Sequence, residues 1–356
     1  MATIITQPAS LSLSANLGRF EIAASSEVSF KLSQGGSTII DESFTPNAAG
    51  RVIIDIKDVV RNNLALDLPT TDIFQQTSIA KIFTAEIDEL ADVVFTVIRG
   101  GVENLSETPS NFLLANWLTW QPQTKQVSTN QPEWLTYYAP AAAVVKVKFY
   151  LANDATSIIT LHSPAAGTCY TYNMQFAYIM TLQAGNKYGY YDVWVENESQ
   201  QRVSYIQRYI YRALESIDEH FVFENSLGGL DTAVMTGEST FAPDIQHNEG
   251  VYDEVSSQLD SIVSRLYTKN TGWKPKPEAD WLFDFFNSKS KYKVNSGTLR
   301  KIVIVESPVD DTSSEDLKSF EFKYKYSTDL GLLNLSRSMD VPAANLEITT
   351  PEGLFF

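Results

Sequence analysis

The sequence predicts a mainly β fold: two immunoglobulin- or fibronectin-like β-sandwich modules followed by a mixed α+β C-terminal module. Three observations lead there. Short runs of period-two alternation recur roughly every ten residues, the spacing of sandwich strands. Glycine-rich or Pro-Asn stretches separate these runs. The chain also holds 17 Tyr and 19 Phe, residues that suit a pleated, half-buried surface. At 356 residues it is too long for one ordinary core, and it divides naturally into modules of about 100–150 residues.

Residues 1–101 form the first module. Leu11 and Leu13, Phe20 and Ile22, Val28, Phe30 and Leu32, and Val52 and Ile54 each alternate with other side chains. Turn material falls at 16–18, 34–36 and 46–50. Residues 56–64 suit one or two helical turns, and strands resume at 80–87 and 93–98.

Residues 102–140 carry Trp117, Trp120 and Trp134, three of the six tryptophans, around a polar middle. Three readings stand side by side. The segment is a connector whose rings pin two modules together, or a subunit-contact arm, since aromatics on irregular segments make interface hot spots. In the third, the tryptophan faces are a platform for sugar rings.

Residues 141–214 read as a second sandwich, with alternation at 144–150, 157–162, 177–182, 190–196 and 202–210. Residues 215–340 make the α+β module. It opens with FVFENSLGGLDTAVMTG (221–237), two alternating runs about Asn225, Gly228, Gly229 and Asp231. Adjacent glycines reach backbone angles closed to other residues, so this is a strand–turn–strand reversal. Residues 255–266 fit helix and strand equally. Residues 275–288 open with proline and acids, place Trp281, Leu282, Phe285 and Phe286 together, and predict a helix. Strands follow at 292–294, 299–306 and 319–326. Residues 341–356 are an extended tail ending in Phe355 and Phe356.

The net charge of −16 argues against a nucleic-acid partner, which needs clustered cations. The alternation of Lys289, Lys291 and Lys293 reads as the wet face of a strand. The single Cys169 excludes an internal disulfide framework and reads as a packed core residue. The first ten residues lack the features of a secretion signal, and no segment has the roughly 20 apolar residues of a membrane span, so synthesis in a cytoplasm with no membrane partner is expected. His162, His220 and His247 lie apart, and no HExxH, GxSxG, Walker A or GxGxxG motif occurs. No cofactor and no metal are expected. The acidic pairs Asp218-Glu219, Asp253-Glu254, Asp310-Asp311 and Glu315-Asp316 read as solvated loops, with a glycosidase pair or a Ca²⁺ loop at 310–316 as the lesser alternatives.

The order of β module, Trp-rich segment, β module and then FENSLGGLDTAVMTG resembles tail or baseplate structural proteins of phages and prophages from Bacteroides-type bacteria. In these a similar hairpin, matched here by Asn225, Gly228, Gly229 and Asp231, opens the last domain. WLFDFFNS (281–288) with KYKV (291–294), and FEFKYKYS (320–327), are similar to that group and more distantly to distal tail proteins. The resemblance implies a non-enzymatic virion component. It would form a ring of its own copies and touch other tail or baseplate proteins through Trp117, Trp120, Trp134, Phe355 and Phe356. The alternative is a carbohydrate- or surface-binding protein using Trp117, Trp120 and Trp134.

Overall fold

The computed structural model describes residues 2–88, 90–151, 155–184, 187–252, 255–295, 297–307 and 316–328. The chain is mainly β, as its alternation predicts. In the first module a three-stranded sheet (Thr3–Thr6, Phe20–Ala23, Arg51–Ile54) faces a five-stranded one. The latter runs in the order Leu11–Leu13, Val93–Ile98, Ala80–Ile87, Val28–Gln34, Ser37–Phe44. The inward members of the alternating runs, among them Phe20, Phe30, Phe83 and Phe95, make one core between the sheets. Edge-to-face packing of Phe20 on Phe30 at 5.3 Å orders its centre. A short helix, Lys57–Asn62, closes one side through the buried Val60.

The second module repeats this plan. Its five-stranded sheet has the order Thr124–Val127, Gln207–Tyr211, Lys187–Asn197, Ala143–Leu151, Thr156–His162. In each five-stranded sheet the first strand of the order pairs in parallel with the second, and every other pairing is antiparallel. The opposing sheet comprises Trp134–Ala139, Thr168–Asn173 and Ile73–Gln75. This last strand belongs by sequence to the first module, and it pairs antiparallel with residues 170–172 of the second.

Two expectations change here. Residues 102–140, whose polar middle suggests an irregular segment, are part of the folded body. They give a helix, Pro109–Ala115, capped by the Thr108 side chain, and then two strands of the second module. Trp117 is fully buried in that module's core, edge-on to Tyr137 at 5.3 Å. Residues 177–182, expected as a strand, lie in a helix, Phe176–Thr181. A short, mostly apolar run does not distinguish the two periods, and Phe176, Ile179 and Met180 reach the core from a single turn and a half.

The remaining described strands, apart from the short pair Lys274–Pro275 and Leu317–Lys318, form a seven-stranded, fully antiparallel sheet. Its order is Leu230–Met235, Glu219–Glu224, Lys291–Asn295, Thr298–Glu306, Glu321–Tyr326, Val255–Asn270, Ser239–Tyr252. The expected helix is present as Lys276–Asn287. It lays Trp281, Leu282 and Phe285 on Phe221, Phe223 and Phe322. Lys291 and Lys293 do not face water, contrary to the reading of their alternation. Lys291 is buried beside the Phe285 ring, and the Lys293 ammonium donates to Glu219 at 2.6 Å and to the Tyr324 hydroxyl at 3.0 Å. Their alkyl stems cover aromatic surface while the charges find local acceptors.

Residues 255–266, ambiguous in sequence, belong to a long strand. Together with Ser239–Tyr252 it forms a ribbon, and only residues 267–270 of its inner strand also pair with the sheet. From the rung Ala242–Leu266 to Tyr252–Val255 the ribbon projects about 35 Å at the usual rise per residue. On it Phe241, Ile245, Val251, Val255 and Leu259 are all exposed, by 48–72%. The tail with Phe355 and Phe356, and the acidic pair Asp310-Asp311, lie outside the described residues.

Candidate functional site

The hairpin of residues 224–230 lies where all three modules meet. Asn225 organises its tip, since the side-chain oxygen accepts from the backbone N–H of Leu227 at 3.0 Å and of Gly229 at 2.9 Å. The amide nitrogen of Asn225 donates to the Leu118 carbonyl at 2.8 Å, stitching the turn to the second module. On the other side the Gly101 amide donates to the Ser226 carbonyl at 2.9 Å, which ties the turn to the first module. Arg99 is ion-paired with Glu224 and also donates to the Leu64 carbonyl at 2.7 Å.

The glycines are there for space as much as for angle. A methyl group on Gly228 (φ +85°) would press inside 3.0 Å of the Arg99 carbonyl, and one on Gly229 would press equally on the carbonyl of Leu118. Leu227 at the tip enters a small core with Leu13, Ile98, Leu118, Tyr138 and Cys169. Cys169 is thus a packing residue at the junction, and burial pushes its thiol pKa well up, away from nucleophilic reactivity.

Behind the turn is a buried polar network. Asp231 accepts from the Thr119 hydroxyl and from the Trp281 indole N–H, both at 2.9 Å. Lys125 donates to Glu133 at 2.6 Å and to Gln121 at 2.8 Å, and its ammonium lies 5.0 Å from the centre of the Trp281 ring. Gln131 donates to the second Glu133 oxygen at 2.9 Å. Lys125 therefore pairs with Glu133 and acts on Asp231 only through space. Desolvation raises Glu133 to about 7 and Asp231 to about 6, against the pull of Lys125 and their hydrogen bonds. Sequence reasoning found Asp231 but missed Lys125 and Glu133, because nothing in an isolated polar residue reports that a neighbouring module will cover it.

A cleft of about 960 Å³ opens beside the hairpin. Residues 99–103 at the end of the first module, Trp120, the hairpin tip and the helix Lys276–Asn287 line it. Of the three tryptophans proposed as a common platform, only Trp120 lies here. It is 43% exposed, with its indole N–H donating to the Ser226 hydroxyl at 3.1 Å. Trp117 is buried and Trp134 half-buried within the second module, so the three rings make no shared surface.

The acidic pair Asp218-Glu219 is structural. Asp218 is held by Arg212, and Glu219 accepts from Lys293 at 2.6 Å, with Lys269 at 3.7 Å. No group of three or more potential metal ligands occurs among the described residues, and no helix among them is long and apolar enough to cross a membrane. No protein-family model matches the chain, and no curated protein matches it either.

Proposed function

We propose that this protein is a non-enzymatic structural subunit of a phage-tail-like assembly, docking on its own copies and on other tail or baseplate proteins. The observation that carries the proposal is the ribbon of residues 239–270. An isolated two-stranded hairpin is marginal in water, and open strand edges with exposed apolar side chains invite pairing with another chain. Phe241 and Ile245 face the same way as their cross-strand partners Tyr267 and Val263, so apolar side chains continue out of the core along one face, with the Pro243–Arg265 rung between them. Ordering such an arm is offset most readily by burial in an assembly.

The repeated strand orders favour immunoglobulin-like sandwiches for the first two modules, and the sheet with its packed helix favours an α+β module for the third. The tail resemblance of residues 221–237, 281–294 and 320–327 supplies the ring or baseplate setting and the virion location. In that setting Phe355 and Phe356 are a second contact.

Replacing residues 243–265 by Asn-Gly should leave melting behaviour intact and reduce the light-scattering mass from a closed oligomer to one chain. A full-length chain that stays monomeric at assembly concentrations, or a trimmed one that still assembles, would count against the proposal.

A further inference from the structure

We infer that the cleft between the first and third modules is a saccharide-binding site, with Trp120 as its stacking face. This does not depend on the assembly reading, because no residue of the ribbon lines the cleft, which is complete in a single chain.

The ring is built to stay still. Its N–H is engaged by Ser226, and Phe112 packs behind it at 6.1 Å with the planes tilted by 54°. A fixed, 43% exposed indole wall offers an apolar face at little further ordering cost.

Around the ring the polar groups are of both kinds. Among the described residues, the side chains of Arg61, Glu103, Asp280, Asn287 and Lys289 line the cleft with no intramolecular hydrogen bond or ion pair. Arg61 and Lys289 donate, Glu103 and Asp280 accept, and Asn287 does both.

That balance discriminates among ligand classes. A phosphate or sulfate would meet Glu103 and Asp280 as well as the cations. A purely apolar ligand would strand five polar groups beneath it. A pyranose has a C–H face for the indole and a rim of hydroxyls that both donate and accept, so it can satisfy every member. The volume of about 960 Å³ accommodates several rings and stands at the upper end of ordinary ligand pockets.

The test uses the full chain with cellotetraose, maltotetraose, xylotetraose, chitotetraose and a tetragalacturonate, read by saturation-transfer NMR and by titration of tryptophan fluorescence. At least one should receive saturation. Trp120→Ala should then weaken it by about tenfold or more, the equivalent of 1.4 kcal/mol. Since Trp120 also packs on Phe112, Asn287→Ala and Asp280→Ala, both on an exposed helix face, are the companion variants and should each weaken binding while leaving the melting curve unchanged. The inference is overturned if no sugar of the set binds, or if binding is undiminished in the Trp120 variant or in both helix variants.

Discussion

Replacing Gly228 by alanine separates two costs that usually come together. The first is the backbone angle. Gly228 has φ +85°, and an L-residue there gives up about 1 kcal/mol. Gly36, at φ +83° in a turn of the first module, has the same angle with nothing within 4 Å of an added methyl group. Gly36→Ala therefore measures the angle alone. At Gly228 the methyl must also displace the Arg99 backbone, so the seams that hold the turn against the first and second modules have to part. Parting them threatens the Gly101–Ser226 bond at 2.9 Å and the Asn225–Leu118 bond at 2.8 Å, each worth about 1 kcal/mol. Some of the apolar contact around Leu227 goes as well. The expected loss is thus about 3–4 kcal/mol for Gly228→Ala against about 1 for Gly36→Ala. Urea unfolding gives the totals, and hydrogen exchange at the Gly101 amide reports the seam directly. Equal costs for the two variants, with unchanged exchange at Gly101, would refute the view of this turn as a wedge between modules.

The other expectations are briefer. Glu133 and Asp231 are both raised in the folded state, so each binds its proton more tightly folded than unfolded. Their contribution is full below about pH 4 and is lost as pH rises through about 6 and 7. For Glu133 the raise from 4.5 to about 7 corresponds to about 3 kcal/mol; urea midpoints at pH 5 and pH 8 should differ more in the wild type than in Glu133→Gln, and an equal difference would rule the network out as the source. Lys269 is wholly buried at the base of the ribbon, donating to the carbonyls of Ile217 at 2.9 Å and Gly237 at 2.7 Å. Lys269→Met should cost about 3 kcal/mol, with faster amide exchange first at Glu238 and Asn270. Trp117→Ala should cost about 3–5 kcal/mol through its cavity, seen as a lower melting temperature, whereas the exposed Ile82→Thr should shift melting hardly at all.

Much of the architecture was legible from period-two alternation. Val28, Phe30 and Leu32 point inward as their spacing requires, and the proline-led helix expected over 275–288 is present as Lys276–Asn287. The hairpin was legible from Asn225 and its glycines, but its role was not. A turn sequence encodes a local angle, while its use as a wedge depends on Arg99 and Leu118, more than a hundred residues earlier. Residues 102–140 misled because their rings are interspersed with polar groups, which suggests an exposed segment. Those polar groups, Gln121, Lys125, Gln131 and Glu133, are themselves buried and satisfied by one another. The ribbon was illegible for the opposite reason. With few long apolar runs and alternating serines, residues 237–266 hold no core signal, since most of their surface meets no core of this chain.

The strand Ile73–Gln75 sets an order of events during synthesis. It is made nearly a hundred residues before its pairing partner Thr168–Asn173. Its ladder partner lies in the second sandwich, so this strand stays unpaired until that module is translated. A gene fragment ending near residue 101 would leave that strand permanently unpaired, and one beginning there would lack a strand of its own sheet. The chain can thus be divided by eye into modules that neither protease nor cloning should be able to separate cleanly.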